Sequence, residues 1–587
     1  MRKRIAVIDR EKCHPQECGN YLCAKLCPVN RSGADCIYPG EDAGKKARID
    51  EFLCTGCGIC PARCPFGAIT IINLPETLHQ SPVHRYGENM FELFSLPTPI
   101  FGEIIGIVGR NGIGKSTALK IVSNMIKPNL GKWNNPPEFK EVLESFKGTE
   151  MQRFLEKLQK NEISVSYKPQ QVDLIPKQFT GTVQELLQRI DAENLPAVAI
   201  QLQLTSFLDH DISTISGGEL QRVAIAAAAL KKANLYLFDE PTSYLDIKQR
   251  LNMCHFIRSY AQEQTAVMVI EHDLIILDFI TNFLNIMYGH EGVYGIVSGL
   301  KSTREGLNAF LDGYLKEENM RFRNHAIKFE RTHEHKTTKP VSLLSWDSVS
   351  TQLGTFSLHA EPGTLYKNEI IGVLGENGIG KTSFVKILAG MITPDTGEVS
   401  AGITVSYKPQ YLETDAETIV AEFLQEAIQK YTNQLITPLS LDSLFTRKLK
   451  HLSGGELQRV AIARCLAQDA QLFLLDEPSA YLDVEQRLVV SKTIRTLAED
   501  RNVTILIVDH DLLFIDHISD RLLVFTGQPA RQGTLQGPFT MEVGMNLFLK
   551  ELNITLRRDV GSHRPRINKL DSVKDREQRA ENKWYYG

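Results

Sequence analysis

Short apolar runs recur along this chain, and a glycine-rich segment or an acidic pair follows many of them. Ile104–Val108 and Ile370–Leu374 contain only apolar residues and one glycine, and each leads through further glycines into a segment of helical period. Runs of this length between turn residues are typical of strands buried in a parallel sheet, and their alternation with helices predicts an α/β fold. Further runs of this kind are Leu235–Asp239, Ala266–Ile270, Leu472–Asp476 and Thr504–Val508.

The second half of the chain repeats the first. A glycine-rich stretch at 104–117 recurs at 370–383, and several shorter elements follow it in the same order in both halves. Such a repeat predicts two tandem domains of one fold, which we call the first and second copies. The shorter elements are Ser-Tyr-Lys-Pro-Gln at 166–170 and 406–410, Ser-Gly-Gly-Glu-Leu-Gln-Arg-Val-Ala-Ile-Ala at 216–226 and 453–463, Asp-Glu-Pro from Asp239 and Asp476, and His-Asp from His272 and His510.

The first copy carries an insertion near residues 132–162 that the second copy lacks. Prolines precede a run with apolar residues at helical spacing, which is broken at Gly148-Thr149. This pattern predicts two short helices around a turn, projecting from the first copy. The sequence leaves two roles open, a tolerated surface insertion or a docking element.

Each copy contains a phosphate loop. Glycines let backbone N–H groups surround phosphates, the lysine balances the β/γ charge, and the following hydroxyl reaches Mg²⁺. Each loop lies after a predicted strand and before a predicted helix, which is the context the motif requires. The predicted ATP-binding residues are Gly109, Asn111, Gly112, Gly114, Lys115, Ser116 and Thr117 in the first copy, and Gly375, Asn377, Gly378, Gly380, Lys381, Thr382 and Ser383 in the second.

The acids at the ends of two later strands predict a hydrolytic centre. Asp239 and Asp476 are expected to hold the Mg²⁺ water shell, and Glu240 and Glu477 to act as general bases towards water. The two histidines, His272 and His510, are expected to contact the γ-phosphate; a lone histidine would more often be a core residue, but these two recur at the same offset. With Gln170 and Gln410 as sensors, the predicted magnesium set is Ser116, Gln170, Asp239, Thr382, Gln410 and Asp476.

The Ser-Gly-Gly-Glu element begins a helix, so its amides can bind a phosphate, although it lies far along the chain from its own phosphate loop. Tyr86 and Phe356, upstream of the two loops, are candidates for stacking on adenine. The predicted binding residues of the element are Ser216, Gly218 and Glu219 in the first copy and Ser453, Gly455 and Glu456 in the second.

Nine of the eleven cysteines lie between residues 13 and 64. The second run, Cys54-x2-Cys57-x2-Cys60-x3-Cys64-Pro65, has the spacing by which bacterial ferredoxins hold a 4Fe–4S cluster. The first run, from Cys13 to Cys27, is a looser relative with the same Cys-Pro ending, and zinc is the alternative. In paired-cluster ferredoxins the last cysteine of each run binds the other cluster. That rule assigns one cluster to Cys13, Cys18, Cys23 and Cys64 and the other to Cys27, Cys54, Cys57 and Cys60; Cys36 is left over, and Cys254 and Cys465 are expected in the core.

Length, charge and apolar patterning limit the protein class. The chain has 587 residues and a formal net charge of −4, which predicts three or four domains and gives no global signal for nucleic-acid binding. It shows neither a signal peptide nor about 18 successive uncharged apolar residues, so we expect a cytoplasmic protein without a membrane span. Taken alone, the basic tail 555–587 is interpreted as a solvated terminal segment.

The nucleotide motifs resemble the ATP-binding cassette (ABC) superfamily, whose signature is Leu-Ser-Gly-Gly-Glu. In that superfamily the signature of one domain completes the site of the other. The resemblance therefore implies that Ser453 and Gly455 serve the site of Lys115, that Ser216 and Gly218 serve the site of Lys381, and that both sites hydrolyse ATP.

Over essentially its whole length the chain resembles the class E ABC proteins, the ribosome recycling or RNase L inhibitor family. The matches include 56–60, 84–86, 111–117 and the Arg-Pro-Arg-Ile-Asn-Lys-Leu-Asp run from Arg564, and the spacing of Cys18 and Cys23 is of the archaeal type. The implied organisation is a ferredoxin-like iron–sulfur domain at 1–75, a first ABC domain at 76–300, a hinge at 301–340, a second ABC domain at 341–543, and a C-terminal hinge and basic tail at 544–587.

The resemblance also implies a function. ATP-driven closure of the two ABC domains would move the iron–sulfur domain and split ribosomes into subunits. The implied partners are the small ribosomal subunit with its rRNA and a release factor or Pelota-type rescue factor, with initiation factors as further candidates, and the implied state is a monomer. The alternative is an iron–sulfur redox protein driven by ATP; a transporter subunit would give no reason for the clusters.

Overall fold

The computed structural model describes residues 4–40, 44–73, 81–329, 341–400, 402–410 and 417–586. Residues 74–75 of the predicted iron–sulfur domain and 330–340 of the predicted hinge lie outside these ranges. By its packing the chain divides into two units. The first comprises 1–241, 257–271 and 281–324, and the second comprises 242–256, 272–280 and 325–587.

The first unit begins with a small α+β domain. Strands β1 and β4 pair antiparallel, with Ile5 opposite Ile72. Helices α1 and α3 end immediately before Cys27 and Cys64, which both have extended backbone because a proline follows each of them. The elements are β1 (Arg4–Ile8), α1 (Leu22–Leu26), α2 (Pro28–Arg31), β2 (Ile37–Pro39), β3 (Ala47–Ile49), α3 (Ile59–Arg63) and β4 (Ile69–Asn73).

A nine-stranded sheet forms the centre of the first copy, in the order β5-β6-β12-β11-β7-β10-β9-β8, with β13 paired to β11. The strands from β11 to β8 are parallel. The strands are β5 (His84–Arg85), β6 (Glu92–Phe94), β7 (Ile104–Val108), β8 (Val165–Lys168), β9 (Leu235–Asp239), β10 (Ala266–Ile270), β11 (Phe283–His290), β12 (Tyr294–Val297) and β13 (Lys301–Ser302), followed by the hairpin of β14 (Tyr314–Leu315) and β15 (Met320–Arg321).

The helices of the first copy include the two predicted for the insertion. These pack Val142, Met151 and Phe154 into the same core as β7 and β9, so the insertion contributes to the core of the domain. The helices are α4 (Lys115–Val122), α5 (Phe139–Ser145), α6 (Glu150–Gln159), α7 (Ile175–Gln178), α8 (Val183–Asp191), α9 (Leu195–Gln201), α10 (Gly217–Ala229), α11 (Ile247–Arg258), α12 (Leu274–Ile280) and α13 (Thr303–Asp312).

The N-terminal domain is attached to the first copy through a buried arginine. Arg85, on β5, forms ion pairs of 3.0 Å with Glu51 of the N-terminal domain and with Glu92 on β6. Nearby, the Asn89 side chain exchanges hydrogen bonds with both backbone groups of Ile49. All these groups are nearly inaccessible to solvent, so the attachment is a specific polar interface.

The second unit is built around an eight-stranded sheet in the order β17-β18-β25-β24-β20-β23-β22-β21, with β16 and β19 paired separately. The run from β24 to β21 repeats the parallel arrangement of the first copy. The strands are β16 (Ser342–Trp346), β17 (Val349–Leu353), β18 (Phe356–Ala360), β19 (Gly363–Tyr366), β20 (Ile370–Leu374), β21 (Val405–Lys408), β22 (Leu472–Asp476), β23 (Thr504–Val508), β24 (Arg521–Gln528), β25 (Gln532–Thr540), β26 (Leu556–Arg558) and β27 (Pro565–Ile567).

Besides α12 and most of α11, the second unit contains helices that run from the second phosphate loop to the C-terminal region. None of the helices in the described ranges is long and apolar enough to cross a membrane. The helices are α14 (Lys381–Leu388), α15 (Val420–Phe423), α16 (Gln425–Lys430), α17 (Gly454–Ala467), α18 (Val484–Arg501), α19 (Leu512–Ile518), α20 (Met541–Glu551) and α21 (Val573–Ala580), with a π-helical turn at Thr432–Ile436 and 3₁₀ turns at Asp442–Leu444 and Leu449–His451.

The basic tail is folded, so its interpretation as a solvated terminal segment is wrong. It forms the β26–β27 hairpin and α21, and its Arg564 and Tyr585 are among the most buried large side chains. Acids outside the tail explain this burial: Arg564 pairs with Asp278, and the Tyr585 hydroxyl donates to Asp516. No motif near Arg564 or Tyr585 indicates these distant partners.

Candidate nucleotide sites and iron–sulfur centre

The first phosphate loop connects β7 to α4 and needs its glycines. Gly114 has a φ of 88°, and a Cβ there would lie 2.5 Å from Cζ of Phe91. Gly109 is equally confined, because its Cβ would meet the carbonyl oxygen of Met287 at 2.4 Å. The ammonium group of Lys115 donates to the Gly109 carbonyl at 3.0 Å and to that of Arg110 at 2.7 Å. The lysine is therefore held within the curve of the loop where phosphates would bind.

The acids of the first copy stand at the end of β9. Asp239 is buried, which raises the pKa of its carboxyl group, while a hydrogen bond from Ser116 opposes the rise. Its Oδ1 atom is inaccessible and accepts no hydrogen bond among the described residues, as expected of an oxygen placed for a cation. The Gln170 amide donates to Oε1 of Glu240 at 2.7 Å. Asp239, Glu240, Gln170 and Ser116 therefore form one polar group that fits a magnesium nucleotide.

Three residue types that support these acids escaped the sequence analysis. Lys168 donates to the carbonyl oxygens of Asp239 at 3.0 Å and Glu240 at 3.2 Å, and burial lowers its pKa to about 8. Gln221, from the signature helix α10, donates to the Glu240 carbonyl at 2.7 Å, and the Tyr167 hydroxyl donates to Asp239. All three belong to the repeated elements, so their recurrence at Lys408, Gln458 and Tyr407 was the available signal.

The second phosphate loop connects β20 to α14 in the same way. Lys381 donates to the carbonyl oxygens of Gly375 at 2.9 Å and Glu376 at 2.7 Å, and burial lowers its pKa to about 8. The Thr382 hydroxyl donates to Asp476 at 2.9 Å, which joins the two predicted magnesium groups directly. Gly378 and Gly380 have φ values of 70° and 98°, so the loop again depends on glycine.

The acid and histidine of the second copy face each other. Burial, with Asp476 and Asp509 adding repulsion, raises the pKa of Glu477 to about 7, and a hydrogen bond from Gln410 opposes the rise. His510 Nε2 lies 3.7 Å from Glu477 Oε1. Burial, followed by the nearby Lys381 and Arg250, lowers the pKa of His510 well below its usual value, so its imidazole is neutral. A neutral histidine can donate one hydrogen bond to a phosphate oxygen without adding charge.

The second phosphate loop also contacts the segment that follows the first acid pair. Within the second unit, the backbone N–H of Asn377 donates to Asp246 at 2.9 Å, and Lys248 pairs with Glu376 at 2.6 Å. Sequence reasoning missed these groups, because Asp246 and Lys248 lie outside the motifs that it used.

The remaining residues that were predicted to bind nucleotide lie on different elements of the two units. Ser216 and Ser453 cap α10 and α17 and form reciprocal capping boxes with Glu219 and Glu456. His272 belongs to the second unit. Tyr86 is 44 % exposed and its hydroxyl is 3.1 Å from that of Thr117, whereas Phe356 is half-buried and packs against Gly380. Asn111, Gly112 and Gly218 lie in the first unit, and Ser383 and Gly455 lie in the second.

The cysteines of the N-terminal domain fall into two neighbourhoods. The thiol of Cys23 interacts electrostatically with those of Cys18, Cys13 and Cys64. In the other neighbourhood Cys60 interacts with Cys54 and Cys57, and Cys36 interacts with Cys27 and Cys54. A further interaction, between Cys60 and Cys23, connects the two neighbourhoods. None of the eleven cysteines forms a disulfide. Cys254 and Cys465 are buried in the first and second copies, as expected of core residues.

The chemistry of these donors fits iron–sulfur clusters. Burial raises the pKa of Cys23 to about 11 and that of Cys60 to about 12, so the free thiols would be protonated, and a bound metal would supply the charge that makes them thiolates. In the described ranges, no three His, Cys, Asp or Glu side chains converge on a point that suits a single ion.

Comparisons with protein families agree with this geometry. A family model described as "ABC transporter" matches residues 100–243 and 359–480. A "possible Fer4-like domain in RNase L inhibitor" matches residues 4–35, and a "4Fe-4S binding domain" matches residues 47–70. The fold and sites thus define a tandem ABC ATPase with an N-terminal iron–sulfur domain, and the α/β fold class with its ferredoxin-like domain is confirmed.

Similar proteins place the chain within one family. It is 48 % identical, over 99 % of its length and 97 % of the relative's, to an uncharacterized ABC transporter ATP-binding protein of Methanocaldococcus jannaschii. It matches a structure described as ribosome-bound archaeal Pelota and ABCE1 with a TM-score of 0.93 at 49 % identity, covering 100 % of this chain and 99 % of that one. For the archaeal ribosome recycling factor aABCE1 in complex with the stalk protein aP1, the values are 0.81 and 49 %, covering 86 % and 99 %. The chain belongs to the class E ABC protein, or RNase L inhibitor, family.

Proposed function

We propose that this protein splits ribosomes into subunits, using ATP binding and hydrolysis at two sites to move its iron–sulfur domain. The observation that carries the proposal is the match over the full chain to ribosome-bound archaeal ABCE1. The presence of both acid pairs, both phosphate-loop lysines and all eight predicted cluster cysteines supports it.

The hydrolytic chemistry is proposed to be the same in each copy. The lysine and the loop amides would bind the phosphates, and Asp239 or Asp476 would hold a Mg²⁺ ion that neutralises phosphate charge. Glu240 or Glu477 accepts the proton of the attacking water, and His272 or His510 donates to the γ-phosphate. The family resemblance assigns the signature serines to the nucleotide held by the other copy, and Tyr86 and Phe356 are proposed to stack on adenine.

The iron–sulfur domain is proposed to act as a rigid lever. Two 4Fe–4S clusters, one bound by Cys13, Cys18, Cys23 and Cys64 and the other by Cys27, Cys54, Cys57 and Cys60, would supply shape and rigidity. The grouping of the thiols supports this assignment. Glu51, held by Arg85, anchors the lever to the first copy.

The proposed location and partners of this protein are taken from its relatives. We propose that the protein acts as a cytoplasmic monomer on ribosomes that carry a release factor or a Pelota-type factor, and that it contacts the small subunit and its rRNA. The insertion α5–α6 is proposed as one docking element.

A gradient experiment tests the function. Purified protein with ATP and the rescue factor should convert monosomes into subunits on a sucrose gradient, and the Glu240→Gln, Glu477→Gln double variant should bind ATP without repeated turnover. Unchanged monosomes would refute the proposal. Cluster midpoint potentials that shift when ATP binds, with no splitting, would favour the redox alternative instead.

A further inference from the structure

The two glutamates proposed as general bases have a backbone conformation that residues with side chains rarely adopt. Glu240 has a φ of 46° and Glu477 a φ of 47°, so both lie in the left-handed region. This conformation costs free energy for a residue with a Cβ and persists only where the surrounding structure holds it. A proline follows each glutamate and disfavours the right-handed helical conformation, so extended backbone is the relaxed alternative. The contacts to these two peptide units therefore decide where the bases point.

One of these contacts comes from a buried lysine. The register of β8 and β9 places Lys168 opposite Phe238, one residue before the acid pair. The Lys168 side chain is fully buried, and its ammonium group donates to the carbonyl oxygens of Asp239 at 3.0 Å and Glu240 at 3.2 Å. A buried lysine is rare and needs acceptors for its N–H groups. Because these acceptors are consecutive carbonyl groups, the ammonium group fixes the turn between the two acids.

A second contact comes from the signature helix α10. Gln221, which is also fully buried, donates to the Glu240 carbonyl oxygen at 2.7 Å. The backbone N–H of Glu240 donates in turn to the carbonyl oxygen of Ile270, on β10, at 3.0 Å. The backbone of Glu240 is therefore held at its N–H group and at its carbonyl group, where a cation and an amide donate to the same oxygen.

The second copy repeats this arrangement around Glu477. Lys408, which is 2 % exposed, donates to the carbonyl oxygen of Asp476 at 2.7 Å. Gln458, on α17, donates to the Glu477 carbonyl oxygen at 2.5 Å, and the Glu477 N–H donates to the carbonyl oxygen of Val508 at 2.7 Å. The same unusual backbone conformation thus occurs with the same donors in both copies.

The two buried lysines are placed to act on the backbone of the acid pair. Each phosphate loop already contains a lysine of its own, Lys115 or Lys381, which follows the curve of the loop. Lys168 and Lys408 instead reach the acid strand from β8 and β21, and their hydrogen bonds go to backbone oxygens. An ammonium group has three donors and no acceptor, so it can hold more than one carbonyl group at once.

We propose that Lys168 and Lys408 are positioning residues for the general bases of the two nucleotide sites. Each lysine holds the backbone of the acid pair in its left-handed turn, with the glutamine of the signature helix as a second support, so that the glutamate carboxylate meets the attacking water. This role rests on the proposed hydrolysis of ATP. Misplacement of a catalytic group by about 1 Å can cost about 100-fold in rate, so loss of the lysine should have a large effect.

The test measures each site separately. Lys168→Met is placed in a Glu477→Gln background, where Glu240 is the remaining base, and Lys408→Met is placed in a Glu240→Gln background. We expect kcat to fall about 100-fold with KM for ATP unchanged within about twofold, because position and not affinity is lost. Lys492→Met, at an exposed lysine on α18, is the matched control and should leave both constants unchanged in either background.

The glutamines provide a second, milder set of variants. Gln221→Leu and Gln458→Leu remove the other support of the same turn, and each should lower kcat at its own site about tenfold with KM unchanged. Because lysine and glutamine hold one peptide unit, the effects of Lys168→Met and Gln221→Leu on kcat should not add. If a methionine variant does not fold, the glutamine variants decide the question, since a normal kcat in them would overturn the inference.

Two further results would also overturn it. The first is a normal kcat in the methionine variants. The second is a loss of kcat that disappears at higher pH, which would show that the lysine acts through its charge on the acids and not through position. Absence of ATP turnover in the unsubstituted protein would instead contradict the proposed function.

Discussion

The two copies share their hydrolytic groups and differ in what is attached to them. In both, a lysine spans the phosphate loop, a buried lysine supports the acid strand, and a glutamine of the signature helix reaches the same carbonyl oxygen. The first copy carries the iron–sulfur domain and the insertion α5–α6, whereas the folded residues 555–586 follow the second copy and contact both α12 and α19. The common groups are those that nucleotide chemistry requires, and the differing segments are those available for partners and for coordination.

The largest expected effect tests whether the chemistry is the same in both copies. Glu240→Gln and Glu477→Gln each remove a general base without changing shape, so kcat at the altered site should fall about 10²–10⁴-fold. Phosphate release in single and double variants measures this, with exposed Glu263→Gln as control. A substitution without effect on its own site would show that the two copies differ in mechanism.

Cluster loss should be confined to the domain attached to the first copy. Cys64→Ser removes a predicted ligand and should lower iron content by about half, whereas Cys36→Ser should leave it unchanged, because the ferredoxin rule gives Cys36 no cluster. Iron and sulfide analysis of the purified proteins decides this. Equal loss in both variants would refute the ligand assignment.

The insertion should stabilise only the first copy. Phe154 is 5 % exposed and packs in the same core as β7. Phe154→Ala should therefore lower the free energy of unfolding of the first copy by about 3–5 kcal/mol. Hydrogen exchange at β7 and β9 reports the loss, with β20 and β22 as the internal reference. Ile200→Ala, at a residue 69 % exposed, is the control. Equal destabilisation of both sheets would contradict a local role.

The smallest expected effect concerns pH. With the pKa of Glu477 at about 7, the base is protonated at lower pH, so turnover in the Glu240→Gln background should fall about tenfold for each pH unit below 7. Because the pKa of Glu477 is raised in the folded state, folding favours the protonated, neutral form of this side chain. Its contribution to the free energy of unfolding is therefore present at low pH and is lost as pH rises from about 4.5 to 7. A rate independent of pH between 5 and 8 would exclude Glu477 as the base.

The sequence predicted most of the local structure around the candidate sites because the repeat presents each motif twice. The phosphate loops, the acid pairs and the two helices of the insertion lie where their motifs place them. Sequence reasoning missed contacts made across long separations. Nothing near Arg564 indicates that its partner is Asp278, and the burial of the C-terminal aromatic residues depends on Asp516. Lys168 and Gln221 were missed for another reason. They lie inside recognised motifs, but they donate to backbone carbonyl oxygens of the acid pair, and a backbone acceptor has no residue type that a sequence pattern could show.

The core of the N-terminal domain has a consequence for how the protein matures. Five of its buried residues are cysteines, and few large apolar side chains accompany them. Metal binding that organises such a core contributes directly to folding free energy. Chains made during iron shortage should therefore have complete ATPase domains but an unformed lever, so the supply of iron limits the amount of competent protein even when translation of the chain is unaffected.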